Sequence, residues 1–176
     1  WFREINALGQ SPSHICLHLG FQGDIGSAGG TRSNQWFLEN WDTEMGEWNV
    51  EDRATEADVL YLSFPSLNDP KHDPGVHQRH TGEVVTFVPW ESFRKWEGTR
   101  RGKREKEYME FKKSIEDRML KQLNRKMPEL MKLVKFHELS TPLSTTHFTR
   151  AHHGAIYGLE ATPRRFMSSQ LGTRTP

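Results

Sequence analysis

The densest run of chemically suggestive residues is Gly154-Ala155-Ile156-Tyr157-Gly158, preceded by His147, His152 and His153. Glycine carries no Cβ, so backbone at such positions can come close to a flat ligand. Tyr157, set between glycines, could lie along a planar ring. The other reading is a tight turn into a packed strand, with Tyr157 in the core, because isolated glycine patterns are weak motifs. His152 or His153 could donate a proton here, since imidazole titrates near neutrality. A second group, His72, His77 and His80, sits in a polar stretch. Neither group shows the three or four convergent ligands, with thiolates or carboxylates nearby, that a metal centre needs, and no metal is expected. No nucleophile elbow, paired-carboxylate signature or phosphate loop occurs, so no residue is assigned a catalytic role.

Two other features bear on ligands. Phe64, Phe87, Trp90, Phe136 and Phe148 could line a slot for a long apolar molecule, since such pockets are mostly apolar with few polar groups. Each could equally belong to a sheet–helix core. The basic run Thr99-Arg100-Arg101-Gly102-Lys103-Arg104 could touch anionic lipid headgroups, or could simply be a solvated helix start.

These residues need elements to hold them. Ile15, Leu17, Leu19 and Phe21 alternate with Cys16, His18 and Gly20, and that period of two predicts a half-buried strand. Residues 22–34 read as a loop and Gln35–Leu38 as a short strand. The acidic stretch 39–56 is expected to be exposed. Val59–Phe64 is apolar on both faces and predicts a central strand. Val84–Val88 predicts another, ended by Pro89. A short helix is expected at 91–98. Tyr108, Phe111, Ile115, Met119 and Leu123 recur at helical spacing, which predicts an amphipathic helix over 103–127. Val134–Leu139 predicts a further strand, and Ser140 or Thr141 caps a short helix with Pro142 in its first turn. The sum is an α+β architecture: an antiparallel sheet with helices packed on one face.

Bulk composition sets outer limits. The 176 residues suffice for one domain with a core, and a net charge of +1 gives no whole-chain field to attract nucleic acid. Six tryptophans argue against disorder, and a single cysteine, Cys16, rules out an internal disulfide framework. No stretch is apolar for long enough to span a bilayer. The chain starts without methionine and ends at Arg174-Thr175-Pro176, and the expectation is a fragment of a longer protein.

Phe136-His137-Glu138-Leu139-Ser140-Thr141-Pro142-Leu143-Ser144-Thr145, followed by Gly154-Ala155-Ile156-Tyr157-Gly158-Leu159-Glu160-Ala161-Thr162-Pro163, resembles the family of phytoene desaturases, carotenoid isomerases and all-trans-retinol saturases. Ser63-Phe64-Pro65-Ser66 and Val84-Val85-Thr86-Phe87-Val88-Pro89-Trp90 are similar to strands of that family's substrate domain. The resemblance is tight over residues 134–166 and loose elsewhere. It implies an FAD-dependent oxidoreductase that saturates, desaturates or isomerises a conjugated or isoprenoid-like substrate. Residues 1–140 would then be part of a substrate-binding domain, and 141–176 a segment returning towards an FAD-binding domain. Gly154, Ala155, Ile156, Tyr157 and Gly158 would border the flavin, and Phe64, Phe87, Trp90 and Phe148 the substrate. The family's Gly-x-Gly-x-x-Gly unit is not found, and Gly26-Ser27-Ala28-Gly29-Gly30 does not reproduce it, so the chain alone is expected to bind FAD poorly and to be inactive. The partner implied is an apolar small molecule, at a cytoplasmic location with peripheral membrane contact through the basic run. The alternative is a non-enzymatic module that carries or senses a lipid.

Overall fold

The structure is a computed structural model and describes residues 1–41 and 46–172. Five strands form one open, wholly antiparallel sheet: β1 (Ser13–Gln22), β2 (Gln35–Leu38), β3 (Val59–Ser63), β4 (Arg79–Val88) and β5 (Val134–Ser140). Their order is β2-β3-β4-β1-β5. Every strand predicted from alternation is present. The fold is α+β, as expected. No parallel β-α-β unit of a dinucleotide-binding domain occurs among the described residues.

Strand period fixes which residues share a face. Ile15 pairs with Thr86 and Leu17 with Val84, while Leu17 also faces Leu139 of β5. Leu62 of β3 lies opposite Val84. These residues therefore line one face, with Leu19, Phe21, Leu60 and Val88, and all are buried. Helix α3 (Lys106–Lys126) closes that face with Tyr108, Ile115, Met119 and Leu123, the stripe that the sequence predicts. Burying such side chains contributes about 1.5–3 kcal/mol each. The turns before α3 add Trp90, Phe93 and Trp96, carried by a 3-10 segment over Trp90–Trp96 where a short helix was expected.

The stretch 39–56 departs from expectation. Trp48 and Val50 are buried in the same core, and residues 42–45 lie outside the described residues. Arg118 of α3 explains the docking. Its Nη2 donates to the Val50 carbonyl at 2.7 Å and its Nη1 to those of Asp52 at 2.8 Å and Thr55 at 3.2 Å, while the guanidinium lies 4.6 Å over the Trp48 ring. Gln122, wholly buried, donates to the Ala57 carbonyl at 2.7 Å and to Glu39 Oε1 at 2.9 Å. One helix thus supplies donors to four carbonyls of the loop and its exit, those of the buried Val50 and Ala57 among them.

Beyond β5 the chain forms α5 (Pro142–Thr149), counted after α1 (Phe2–Asn6), α2 (Pro65–Asn68) and α4 (Pro128–Met131). Thr141 caps α5: its side chain accepts from the Ser144 backbone, and the Ser144 hydroxyl accepts from the Thr141 N–H at 3.3 Å. Tyr108 Oη lies 2.9 Å from Thr141 Oγ1, tying α5 to α3. Residues 155–160 then return beside residues 9–13, with Ser11 N–H donating to the Gly158 carbonyl at 2.7 Å and Ile156 N–H to that of Pro12 at 3.1 Å. No helix among the described residues is long and apolar enough to cross a membrane.

Candidate functional site

The sheet's second face is built from the alternate residues. On β1 these are His14, Cys16 and His18; on β4, Glu83, Val85 and Phe87; on β3, Val59 and Tyr61; on β2, Trp36. Among the described residues no long helix closes this face. Instead α5 and residues 151–158 run along it and leave two adjoining depressions. The larger, about 620 Å³, is lined by His14, Cys16, His18, Glu83, Ser140 and Phe148. The smaller, about 210 Å³, is lined by Trp36, Val59, Tyr61, Phe87, Ile156 and Tyr157. The smaller depression is apolar, and the Trp36 and Tyr61 rings meet edge to face at 4.9 Å.

The glycine segment contributes to both. Ile156 is half-buried, Gly158 is exposed, and Tyr157 is 74% exposed. Tyr157 is therefore not the core residue of the second sequence reading. The two glycines serve different ends. At Gly154 φ is +65°, and an added Cβ would lie 2.7 Å from the Pro142 carbonyl oxygen. The chain's own packing thus demands glycine there, and Gly154 and Ala155 are both buried. Gly158, at φ +76°, has open space around it. Of the five residues, Ile156, Tyr157 and Gly158 present a surface that a flat molecule could meet. The Ile156 and Tyr157 N–H groups are already engaged, by the Pro12 carbonyl and by Ser11 Oγ at 2.9 Å.

The four expected substrate residues separate. Phe87 lines the smaller depression and Phe148, 64% exposed, the larger. Phe64 is fully buried, its ring 6.0 Å from that of Phe21, and it lines neither. Its position continues the parity of Leu60 and Leu62, which directs it to the core. Trp90 is likewise in the core and stacks on His153 at 4.9 Å and 12°. Phe136, on β5, is exposed.

His153 is lowered from its ordinary value, first by burial and then by His152, whose ring centroid is 3.7 Å away. Burial and the neighbouring His152 thus favour the neutral form of His153. Burial also lowers His14, the hydrogen bond to the Gly154 carbonyl opposing and His18 adding to it. The Cys16 thiol is pushed up to about 12 by burial, with the Glu83 charge adding. Nδ1 of His14 and Nε1 of Trp90 are buried without a hydrogen-bond partner among the described residues.

A third depression, about 610 Å³, adjoins the first across Phe148. Here the basic run folds onto aromatic rings: Arg101 lies 4.9 Å over Phe148 and Arg104 4.9 Å over Tyr108. Two of its arginines are thus partly occupied within the chain.

Sequence reasoning missed the polar row on the second face. The signal was visible, since His14, Cys16 and His18 occupy the phase opposite to Ile15 and Leu17. Their partner Glu83 comes from a register that no local pattern reveals.

No family model matches the chain. Among curated proteins, the similarity is to oxidoreductases. These are all-trans-retinol 13,14-reductases: that of Danio rerio is 22% identical over 186 residues, covering 99% of this chain and 30% of that protein. That of Rattus norvegicus is 28% identical over 102 residues, covering 58% of this chain and 17% of the relative. That of Homo sapiens is 27% identical over 110 residues, covering 62% and 18%. The chain therefore spans less than a third of the length of these relatives. The similarity bears on the retinol-reducing branch of the family expected from the sequence and says nothing of phytoene desaturases or carotenoid isomerases.

Proposed function

We propose that this chain is the substrate-binding portion of an FAD-dependent oxidoreductase acting on a conjugated, isoprenoid-like apolar substrate. The observation that carries the reading is the second sheet face. Trp36, Tyr61, Phe87 and Tyr157 surround an apolar depression there, in a chain similar over 99% of its length to an all-trans-retinol 13,14-reductase. Residues 1–140 hold the substrate and 141–176 lead back towards a flavin-binding domain. Tyr157 and Gly158 fit the edge of a planar ring, because both are exposed and Gly158 leaves room beside its Cα. No phosphate-cradling strand–turn–helix exists among the described residues, so the pyrophosphate would be held by other sequence. When bound, a flavin supplies hydride transfer at its N5. The chain's own residues orient the apolar substrate and exclude water from it. Arg100 and Lys103 remain as candidates for contact with anionic headgroups.

The experiment is all-trans-retinol binding to the full chain, read by quenching of tryptophan fluorescence, alongside the visible spectrum of the longer protein. Tyr61→Ala and Tyr157→Ala should each weaken binding about five- to tenfold, in line with loss of an aromatic contact, with melting temperature unchanged. In the longer protein Tyr157→Ala should reduce turnover. Failure of retinol to quench would remove the substrate reading. Quenching without flavin absorbance in the longer protein would favour the non-enzymatic lipid-binding module.

A further inference from the structure

On the second face, three donor atoms converge where no activity requires them. Cys16 Sγ lies 3.7 Å from His18 Nδ1, and His18 Nδ1 lies 3.6 Å from Glu83 Oε1. All three ligand atoms fall within 4.8 Å of one another. The sheet enforces this: Cys16 and His18 are two apart on β1, and Glu83 is the direct cross-strand partner of His18.

The arrangement is not a nucleophilic relay. In a relay the thiol and the carboxylate use opposite nitrogens of the imidazole. Here both address Nδ1, while Nε2 is 3.0 Å from Ser140 Oγ. That outer contact holds the ring in an orientation that leaves Nδ1 facing sulfur and carboxylate. An outer hydrogen bond that orients the free nitrogen is the usual support of a metal-bound histidine. The spacing agrees: zinc bonded to sulfur, nitrogen and oxygen at ordinary lengths in a tetrahedron separates these donors by about 3.4–3.6 Å. Two of the three separations are already within about 0.2 Å of that range. We propose that Cys16, His18 and Glu83 form a binding site for a divalent zinc-class cation, with its fourth position open to the cleft beside Phe148. The cation displaces the thiol proton to solvent as the sulfur–metal bond forms. Three protein ligands and an open position are the arrangement in which zinc holds a water or a ligand oxygen.

The test is a titration of the untagged, metal-free full chain with Co²⁺, followed by difference absorption. Cys16 is the one cysteine in the sequence, so a thiolate-to-cobalt charge-transfer band can arise from no other residue. The expected result is a saturable near-ultraviolet band at one cobalt per chain, with the visible bands of tetrahedral cobalt, both bleached by Zn²⁺. Cys16→Ser should abolish the charge-transfer band. Glu83→Gln should raise the cobalt Kd at least tenfold. Glu83 is half-exposed, so this variant stays informative if Cys16→Ser does not fold. Absence of the band, or an unchanged Kd in folded Glu83→Gln, would overturn the site and leave a thiol–imidazole hydrogen bond beside an ion pair. Neither outcome depends on retinol binding or on flavin.

Discussion

The two faces of the sheet are written into the same strands in alternating letters, yet they differ in everything else. Along β1, Ile15, Leu17, Leu19 and Phe21 meet α3 and are all but inaccessible. The interleaved His14, Cys16 and His18 line an open depression. The first face spends its side chains on folding, and any apolar residue of suitable volume would serve there. The second carries titratable and aromatic groups, most of them only partly buried. On such a strand, substitutions on one face are expected to cost far more stability than substitutions on the other.

Substitution of neighbours on β1 is the strongest way to break that contrast. Leu17→Ala should destabilise the chain by about 2–5 kcal/mol, because the cavity adds to the lost transfer energy. His18→Ala, one residue on, should change stability by less than about 1 kcal/mol. Urea unfolding of both variants checks this, and equal losses would show that the second face is also core. Gly154→Ala should have the next largest effect, about 1–3 kcal/mol, from its left-handed backbone and the Pro142 carbonyl behind it. An unchanged urea midpoint would mean that the 151–158 segment is not held as described. The smallest effect concerns pH. His153 has a lowered folded pKa, so the unfolded chain binds its proton more readily. Its contribution is intact well above 6.5 and is lost as pH falls through that ordinary value. The urea midpoint should drop between about pH 7.5 and about pH 5.5. His153→Asn, which tolerates the positive φ of 51°, should make that drop smaller. If the drop is the same size in the variant, His153 does not feel its burial.

Local pattern made much of the fold legible. The alternation of β1, the Tyr108–Leu123 stripe of α3 and the Thr141–Pro142 start of α5 are each encoded within one element. What stayed hidden depends on distant partners. Trp48 and Val50 look like part of an acidic loop until Arg118 and Gln122 of α3 take up its carbonyls. Phe64 and Phe87 look equivalent by composition, yet Phe64, one residue past β3, continues the inward parity of Leu60 and Leu62, while Phe87 shares the other face of β4 with Glu83 and Val85. For the site, the Gly154–Gly158 segment was recognisable by residue type, but the reason for Gly154 lies in Pro142. The Cys16–His18 pair was visible as a two-residue spacing, and only pairing with β4 adds Glu83.

One consequence follows from the position of β1 in the sheet. It precedes both of its hydrogen-bonded neighbours, β4 and β5, in the sequence. During synthesis its row of isoleucine, leucine and phenylalanine emerges long before either neighbour exists. Native pairing must wait for distant sequence, which slows folding and lengthens the period in which the nascent chain can associate wrongly. A chaperone that shields residues 13–22 on the ribosome would cover this row until its partner strands arrive.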